Sequence, residues 1–170
     1  MAAAPDCRFL HPTTQLKAHD NMDITIRTAT VDDVAAVAVL FDHYRQFYQQ
    51  AADLSLAHRF IQDRLQQQQS VILVAETSAK TLVGFCQLYP TFCSVAAQPI
   101  YVLYDLFVSV AARRSGVGQR LLQAAEVQAK QDGKVRLDLS TAKDNHTAQR
   151  LYERYGWQRD EIFLTYSRHT

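Results

Sequence analysis

Three strand-like runs lie close together in the middle of this chain, and they restrict its fold more than any other feature. VILVAET (71–77) and TLVGFCQLY (81–89) are separated only by SAK, a gap short enough for a hairpin and too short for a parallel crossover. PIYVLYDLFVSV (99–110), rich in β-branched and aromatic residues, follows a stretch bracketed by Pro90 and Pro99 that reads as a loop over 90–98. An antiparallel start to the sheet is therefore expected. Gly84 inside the second run marks a bulge or a close backbone approach.

The flanking segments alternate between the two periodicities. ITIRTAT (24–30) reads as a first strand, and Thr30 with Asp33 resembles a capping box that opens a helix carrying Val34, Val37, Phe41, Tyr44 and Tyr48 at helical spacing. A second helix is expected from about 53 to 68, with Leu56, Phe60, Ile61 and Leu65 as its apolar positions. Beyond the third strand, 117–131 reads as a helix with Leu121, Leu122, Ala125 and Ala129 on one side, closed by Asp132-Gly133. VRLDLST (135–141) reads as a strand, NHTAQRLYERYGW (145–157) as a short helix ended by Gly156, and EIFLTYS (161–167) as a last strand. The expected order is β-α-α-β-β-β-α-β-α-β. This is one α/β domain over 22–170 with a largely antiparallel first half and a β-α-β crossover in the second. The mixed Pro, His, Thr and Ala content of 1–21 suggests a flexible leader, and Met22, directly before the first strand, is a plausible alternative start.

Composition excludes several classes of function. A net charge of +1 gives no global field for nucleic acid or an acidic membrane, so any basic function must be local. The cysteines Cys7, Cys86 and Cys93 are odd in number and form no C-x-x-C pair, which argues against a disulfide framework and for a reducing compartment. The six histidines are scattered without metal-ligand spacing, so no metal is expected. No apolar run approaches the ~18–20 residues that span a bilayer. The expectation is a cytoplasmic protein with neither a nucleic-acid nor a membrane partner.

Glycine is scarce, five residues in 170, and two of them fall in VAARRSGVGQRLL (110–122), between an apolar strand and a helix. Without Cβ atoms, Gly116 and Gly118 let backbone approach a ligand closely. The helix start adds unsatisfied N–H groups and the positive end of a dipole, with Arg113 and Arg114 alongside, which together suit a phosphate or pyrophosphate. The spacing matches neither G-x-x-x-x-G-K-[ST] nor G-x-G-x-x-G, since Leu121 stands where the third glycine would be. It does match [RQ]-x-x-G-x-[GA] through Arg113-Arg114-Ser115-Gly116-Val117-Gly118. Taken alone, that short pattern also fits a glycine-flexed turn before a basic helix.

Placed after DLFV and before an amphipathic helix, the pattern resembles the acyl-CoA loop of the GNAT superfamily of N-acetyltransferases. Asn145-x-x-Ala148-x-x-Leu151-Tyr152-x-x-x-Gly156-Trp157 resembles the later helix of the same superfamily. The likeness spans about 23–167 and is nearest to small stand-alone microbial members. It implies an α/β (α+β) fold, with a mixed, mostly antiparallel central sheet, splayed fourth and fifth strands, and helices on both faces. It implies acetyl-CoA as cosubstrate, lying along Leu106, Phe107 and Val108, with Val108 N–H directed at the thioester oxygen. The pyrophosphate would sit on the amides of Arg114, Ser115, Gly116, Val117, Gly118 and Gln119, within the motif begun by Arg113. Asn145, in the frame shared with Ala148, would hydrogen-bond the pantetheine. Tyr152 would be the general acid that protonates the leaving thiolate.

The base is less defined. Polyamine-acetylating relatives carry Glu-Asp before an FFV-like stretch, whereas this chain has Tyr104-Asp105-Leu106-Phe107-Val108. That departure speaks against a polyamine acceptor. Asp105 remains open either as a base or as a buried structural carboxylate, and strand alternation sets it opposite Tyr104, Leu106 and Val108. His43, His58 and His146 read as exposed helix positions. The resemblance places acceptor recognition at Tyr44, Tyr48, 49–53 and 89–97, whose aromatic, carboxylate-poor character suits a neutral or zwitterionic small-molecule amine, or a peptide lysine, over a multiply charged polycation. Direct transfer in a ternary complex is expected rather than an acetyl-cysteine route, since Cys86 and Cys93 fall outside both motifs. The alternative from another class is a non-catalytic acyl-CoA sensor or interaction module. A nucleic-acid site on Arg113, Arg114 and Arg120 is a weaker third reading. The exposed last strand offers a surface for a homodimer.

Overall fold

The structure is a computed structural model, and it describes residues 23–168 and 170. The leader expected over 1–21 and the start at Met22 lie outside the described residues.

Five strands form a single sheet in sequential order: β1 (Ile24–Thr28), β2 (Val71–Thr77), β3 (Leu82–Cys93), β4 (Gln98–Val108) and β5 (Leu137–Leu139). The first four pair antiparallel, and β5 returns parallel to β4. The hairpin gap at 78–80 and the absence of one between β4 and β5 dictate this arrangement. A parallel return needs a long crossover, here supplied by helix α3 (Val117–Gln131).

Helices cover both faces. On one side, α1 (Val34–Phe47) and α2 (Leu54–Gln66) bury Val37, Ala38, Phe41, Ala57 and Ile61 against Ile72, Val74, Phe85 and Phe107. On the other, α3 buries Val117, Leu121, Leu122, Ala125 and Ala129 against Leu73, Cys86, Leu88 and Leu103. The i, i+4, i+5, i+8, i+12 spacing of those α3 residues produces one apolar stripe, and burial of that stripe holds the helix on the sheet. The short helix α4 (His146–Arg154) adds Leu151 and Tyr152 to the edge of this second layer.

Several details differ from expectation. Thr30 and Asp33 do form a cap, with Thr30 N–H donating to the Asp33 carboxylate at 2.8 Å, but the cap opens a 3₁₀ turn (Val31–Asp33) that leads into α1. β3 continues through the expected loop to Cys93, because the turn lies at 94–97, where Ala97 N donates to Ser94 O. The strand expected over 135–141 is regular only through its central three residues, although Val135 and Arg136 also hydrogen-bond to the backbone of β4.

The last strand, expected over 161–167, is absent. Ile162 and Phe163 donate their amides to the Asp160 carboxylate at 2.8 and 2.9 Å, a local turn that takes those N–H groups out of any ladder. Ile162, Phe163, Leu164 and Tyr166 are all exposed. The observed order therefore ends β-α, and the apolar alternation of that segment is not used by the sheet.

Candidate active site

β4 and β5 part company early. Their pairing covers Tyr101 with Leu137 to Leu103 with Leu139, yet β4 runs on to Val108. Beyond the last pair, the β5 side of β4 has no strand beside it among the described residues. Ser109 N donates to Val83 O at 2.8 Å, and Gly84 faces Val108 in the same register. The alternation of an antiparallel ladder then turns the N–H groups of Leu106 and Val108 away from β3, toward the opening, while Phe107 pairs with Phe85. The Val108 carbonyl on that side accepts from Arg113 Nε at 3.1 Å.

The glycine loop closes one end of the opening. Arg114 and Gly116 both have positive φ, 65° and 81°, and Gly116 caps α3 in the left-handed region that favours glycine. This bend leads into α3, whose first residues Val117, Gly118 and Gln119 line the opening. Ser115 Oγ donates to Ala112 O at 2.7 Å and holds the bend together. A Cβ on Gly118 would stand 3.6 Å from Leu151 Cδ2 and 3.9 Å from Val108 Cγ2, so α3, α4 and β4 meet there. Asn145 is the N-cap of α4, its Oδ1 accepting from Ala148 N at 3.2 Å, which leaves its amide NH₂ free to donate elsewhere.

These elements enclose a groove of about 800 Å³. Leu106, Phe107 and Val108 line it from β4, and Arg113, Arg114, Gly116, Val117, Gly118 and Gln119 from the loop and α3. Asn145, Ala148 and Tyr152 line it from α4. Of the residues anticipated for the cosubstrate, Ser115 alone is not on its wall. Tyr152 is half-buried, its ring 6.1 Å from that of Trp157, and burial pushes its hydroxyl up to about 12.

A second cavity, of about 660 Å³, opens between α1, α2, β3 and β4. Phe41, Tyr44, Tyr48, Phe60, Tyr89 and Tyr104 line it, with Asp105 as the carboxylate in its wall. The two cavities share Tyr44, Tyr48 and Tyr104. The junction depends on a bulge in β4: Gln87 faces Asp105 and Leu88 faces Leu103, so Tyr104 has no partner. Its freed carbonyl accepts from Tyr44 Oη at 3.2 Å. The bulge also breaks the alternation expected for this strand. Asp105 lies opposite Leu106 and Val108 as anticipated, but shares the aromatic cavity with Tyr104 instead of opposing it.

Asp105 is only 5% exposed. Burial raises its carboxyl to about 6, against a smaller downward effect from the Tyr44 hydroxyl. Asp42, not singled out from sequence, builds the rim. Its carboxylate accepts from Asp53 N at 2.9 Å, Gln46 Nε2 at 2.8 Å and Arg45 Nη1 at 3.1 Å, clamping the α1–α2 turn. No local pattern distinguishes Asp42 from a solvated helix aspartate, because its partner Asp53 is known only once the two helices pack. His43, His58 and His146 are exposed, as expected. Cys86 is fully buried, and that burial lifts its thiol to about 12, which makes it a poor nucleophile. No cluster of metal-ligating side chains occurs among the described residues.

Residues 37–157 match the model of the acetyltransferase (GNAT) family. The chain belongs to that family. It is 48% identical over 143 residues to the uncharacterized N-acetyltransferase YhfO of Bacillus subtilis, covering 84% of this chain and 95% of that one. A crystal structure of a probable acetyltransferase superposes with a TM-score of 0.81 at 36% identity, covering 86% of this chain and 97% of that one. An aminoglycoside N-acetyltransferase in complex with CoA shares the fold, with a TM-score of 0.74 at 16% identity and coverage of 88% and 97%. The GNAT chain described here is thus an acetyltransferase with a mixed, mostly antiparallel sheet. No helix among its described residues is long and apolar enough to cross a membrane.

Proposed function

We propose that this enzyme transfers an acetyl group from acetyl-CoA to a primary amine by direct attack in a ternary complex. The observation that carries the reading is the adjacency of two cavities: a groove edged by unpaired strand amides and a helix N-terminus shares Tyr44, Tyr48 and Tyr104 with an aromatic cavity holding one carboxylate. The groove suits acetyl-CoA. A flexed loop with two positive-φ residues and the start of α3 present N–H donors for a pyrophosphate, and Arg113 and Arg114 add charge. Val108 N–H, directed into the opening, would hold the negative charge that develops on the thioester oxygen. The free NH₂ of Asn145 would donate to the pantetheine.

Asp105 would receive the ammonium of the acceptor and take its proton, directly or through water. The neutral nitrogen then attacks the thioester carbon, an N–C bond forms and the C–S bond breaks. Tyr152 would give its hydroxyl proton to the departing thiolate and regain one from the new amide nitrogen. The proton on Asp105 passes to solvent, so the net products are the acetamide, CoA thiol and one proton. A carboxyl near 6 suits this role at neutral pH, and a phenol near 12 remains protonated throughout the physiological range.

Calorimetric titration with acetyl-CoA, followed by thiol release over an amine panel, tests the reading. Saturable 1:1 binding with turnover of at least one amine is the expected result. Absence of acetyl-CoA binding would remove it.

A further inference from the structure

The aromatic cavity has a chemistry of its own. Six aromatic rings converge on it: Phe41 and Tyr44 on α1, Tyr48 at its C-cap, Phe60 on α2, Tyr89 on β3 and Tyr104 on β4. They form two groups of edge-to-face and stacked rings, one on the helices and one on the strands. Phe41 stacks on Phe60 with centroids 5.0 Å apart, Tyr44 meets Tyr48 at 5.1 Å, and Tyr89 meets Tyr104 at 5.7 Å. Such walls favour a flat apolar body, and the faces of Tyr rings also favour a cation.

Charge in that wall is sparse. Among the described residues lining it, Asp105 is the carboxylate and Arg45 the other charged group. Arg45 is already paired with Asp42 at 3.1 Å. Next to Asp105 across the ladder, Gln87 is fully buried, gives its amide N–H to the Tyr89 hydroxyl, and keeps an Oε1 with no partner. Gln87 lies behind the wall, so Asp105 is the one carboxylate the cavity itself presents to an acceptor. A second ammonium on the acceptor would find no second carboxylate and would meet the Arg45 guanidinium. A carboxylate on the acceptor would compete with Asp42 for that guanidinium.

We propose that the acceptor is a small primary amine with a single positive charge on an aromatic or comparably flat apolar body, its ammonium on Asp105 and its body among the rings. This assignment rests on the acetyl-transfer reading above and narrows it. A polyamine mismatches the single carboxylate, an amino acid mismatches the engaged arginine, and the unbranched stem of a peptide lysine leaves the ring walls uncovered. The size of the cavity, about 660 Å³, accommodates a two-ring amine.

The test measures kcat/KM by thiol release with 2-phenylethylamine, n-butylamine, phenylalanine, spermidine and a short lysine peptide, with acetyl-CoA binding followed separately by calorimetry. The expected result is a preference for 2-phenylethylamine of at least about tenfold over each of the others, the scale on which apolar pockets discriminate. Equal or better turnover of spermidine, phenylalanine or the peptide overturns the assigned class and leaves acetyl transfer standing. Acetyl-CoA binding with no turnover of any panel amine also overturns the assigned class. Failure to bind acetyl-CoA strikes the underlying reading, and the assignment falls with it. Tyr104→Ala supplies a second check that spares the core, since this ring is 68% exposed. It is expected to lower kcat/KM for 2-phenylethylamine about tenfold more than for n-butylamine. Equal losses on both amines overturn the proposal.

Discussion

Gln87 stands opposite Asp105 in the β3–β4 ladder, whereas Leu88, the very next residue, stands opposite Leu103. That single skipped partner, Tyr104, reverses which side chains of β4 face which layer. Tyr101 and Leu103 pack toward α3 before it, and Leu106 and Val108 do so after it. Asp105 and Phe107 are thereby turned toward α1, and the carboxylate reaches the aromatic cavity. Without the bulge, strict alternation would put Asp105 on the same side as Leu103, under α3. The bulge thus links the two cavities and gives one of them its charge.

Asp105 carries a stability cost that its replacement should reveal. The folded carboxyl holds its proton to about pH 6, while the unfolded chain releases it near 3.8. The native state therefore binds more protons between these values, and stability falls as pH rises through that window. A shift of this size corresponds to about 3 kcal/mol at full burial. The groups facing Asp105 are Tyr44 from α1, Tyr48 at its C-cap and Tyr89 from β3, and their hydroxyls remain protonated at neutral pH. Asp105→Asn should raise the urea midpoint at pH 8, leave it nearly unchanged at pH 4, and lower kcat/KM at least a hundredfold. In the parent enzyme kcat/KM should rise with pH through about 6. A stabilised Asn variant with full activity would show that Asp105 is a structural carboxylate.

Gly84 marks the other constraint on β4. A Cβ built there would lie 2.9 Å from the Phe107 carbonyl oxygen and 3.3 Å from Val117 Cγ1. The nearer atom is backbone, so it can move only by displacing the strand beside Val108. Gly84→Ala should cost about 1–3 kcal/mol, read from urea unfolding, and raise KM for acetyl-CoA. An unchanged KM in a destabilised variant would separate the packing role from the shape of the groove.

Much of this was legible because local chemistry and tertiary context agree. The α3 stripe, the hairpin, the close approach at Gly84 and the glycine loop each carry a short-range signal, and the residues anticipated for the groove line it apart from Ser115. What could not be read depends on pairing between distant residues. EIFLTYS has the alternation of a strand, but Asp160 competes for its first amides and the neighbouring β5 is three residues long. The β4 bulge leaves no composition signature, since Tyr104 and Asp105 would suit a regular strand equally well. Asp42 was missed for a similar reason, and Phe60 was read only as an apolar helix position, as both acquire their roles only when α1 and α2 pack.

The Arg27–Asp33–Glu76 cluster predicts how the fold responds to acid. Arg27 donates to Asp33 through both terminal nitrogens at 2.8 Å and to Glu76 at 2.8 Å, tying the cap before α1 to β1 and β2. Chiefly through Arg27, the Asp33 carboxyl is lowered from 3.8 to about 2. A depressed carboxyl contributes stability above about pH 4 and loses it as pH falls toward 2. With solvent screening discounted, the contribution is on the order of 1 kcal/mol. Asp33→Asn should lower the thermal midpoint at pH 7, and the gap from the parent should close below about pH 3. A constant gap across that range would assign the loss to the cap and not to the ion pair.

Tyr152 gives the most direct test of chemistry in the groove. Its hydroxyl, pushed up to about 12 by burial with Tyr48 nearby, can give a proton at any pH the enzyme tolerates. Removing the oxygen alone preserves the packing of the ring against Leu151 and Trp157 at the edge of the α3 layer. Tyr152→Phe should therefore fold normally, bind acetyl-CoA within a few-fold of the parent by calorimetry, and lose ten- to hundredfold in kcat, about 1.4–2.8 kcal/mol of transition-state stabilisation. The loss should be smaller with an acetyl thioester of a more acidic thiol, whose leaving group needs less protonation. A uniform loss across thioesters would mean that Tyr152 positions the substrate without protonating it, and full retention of kcat would remove it from the mechanism.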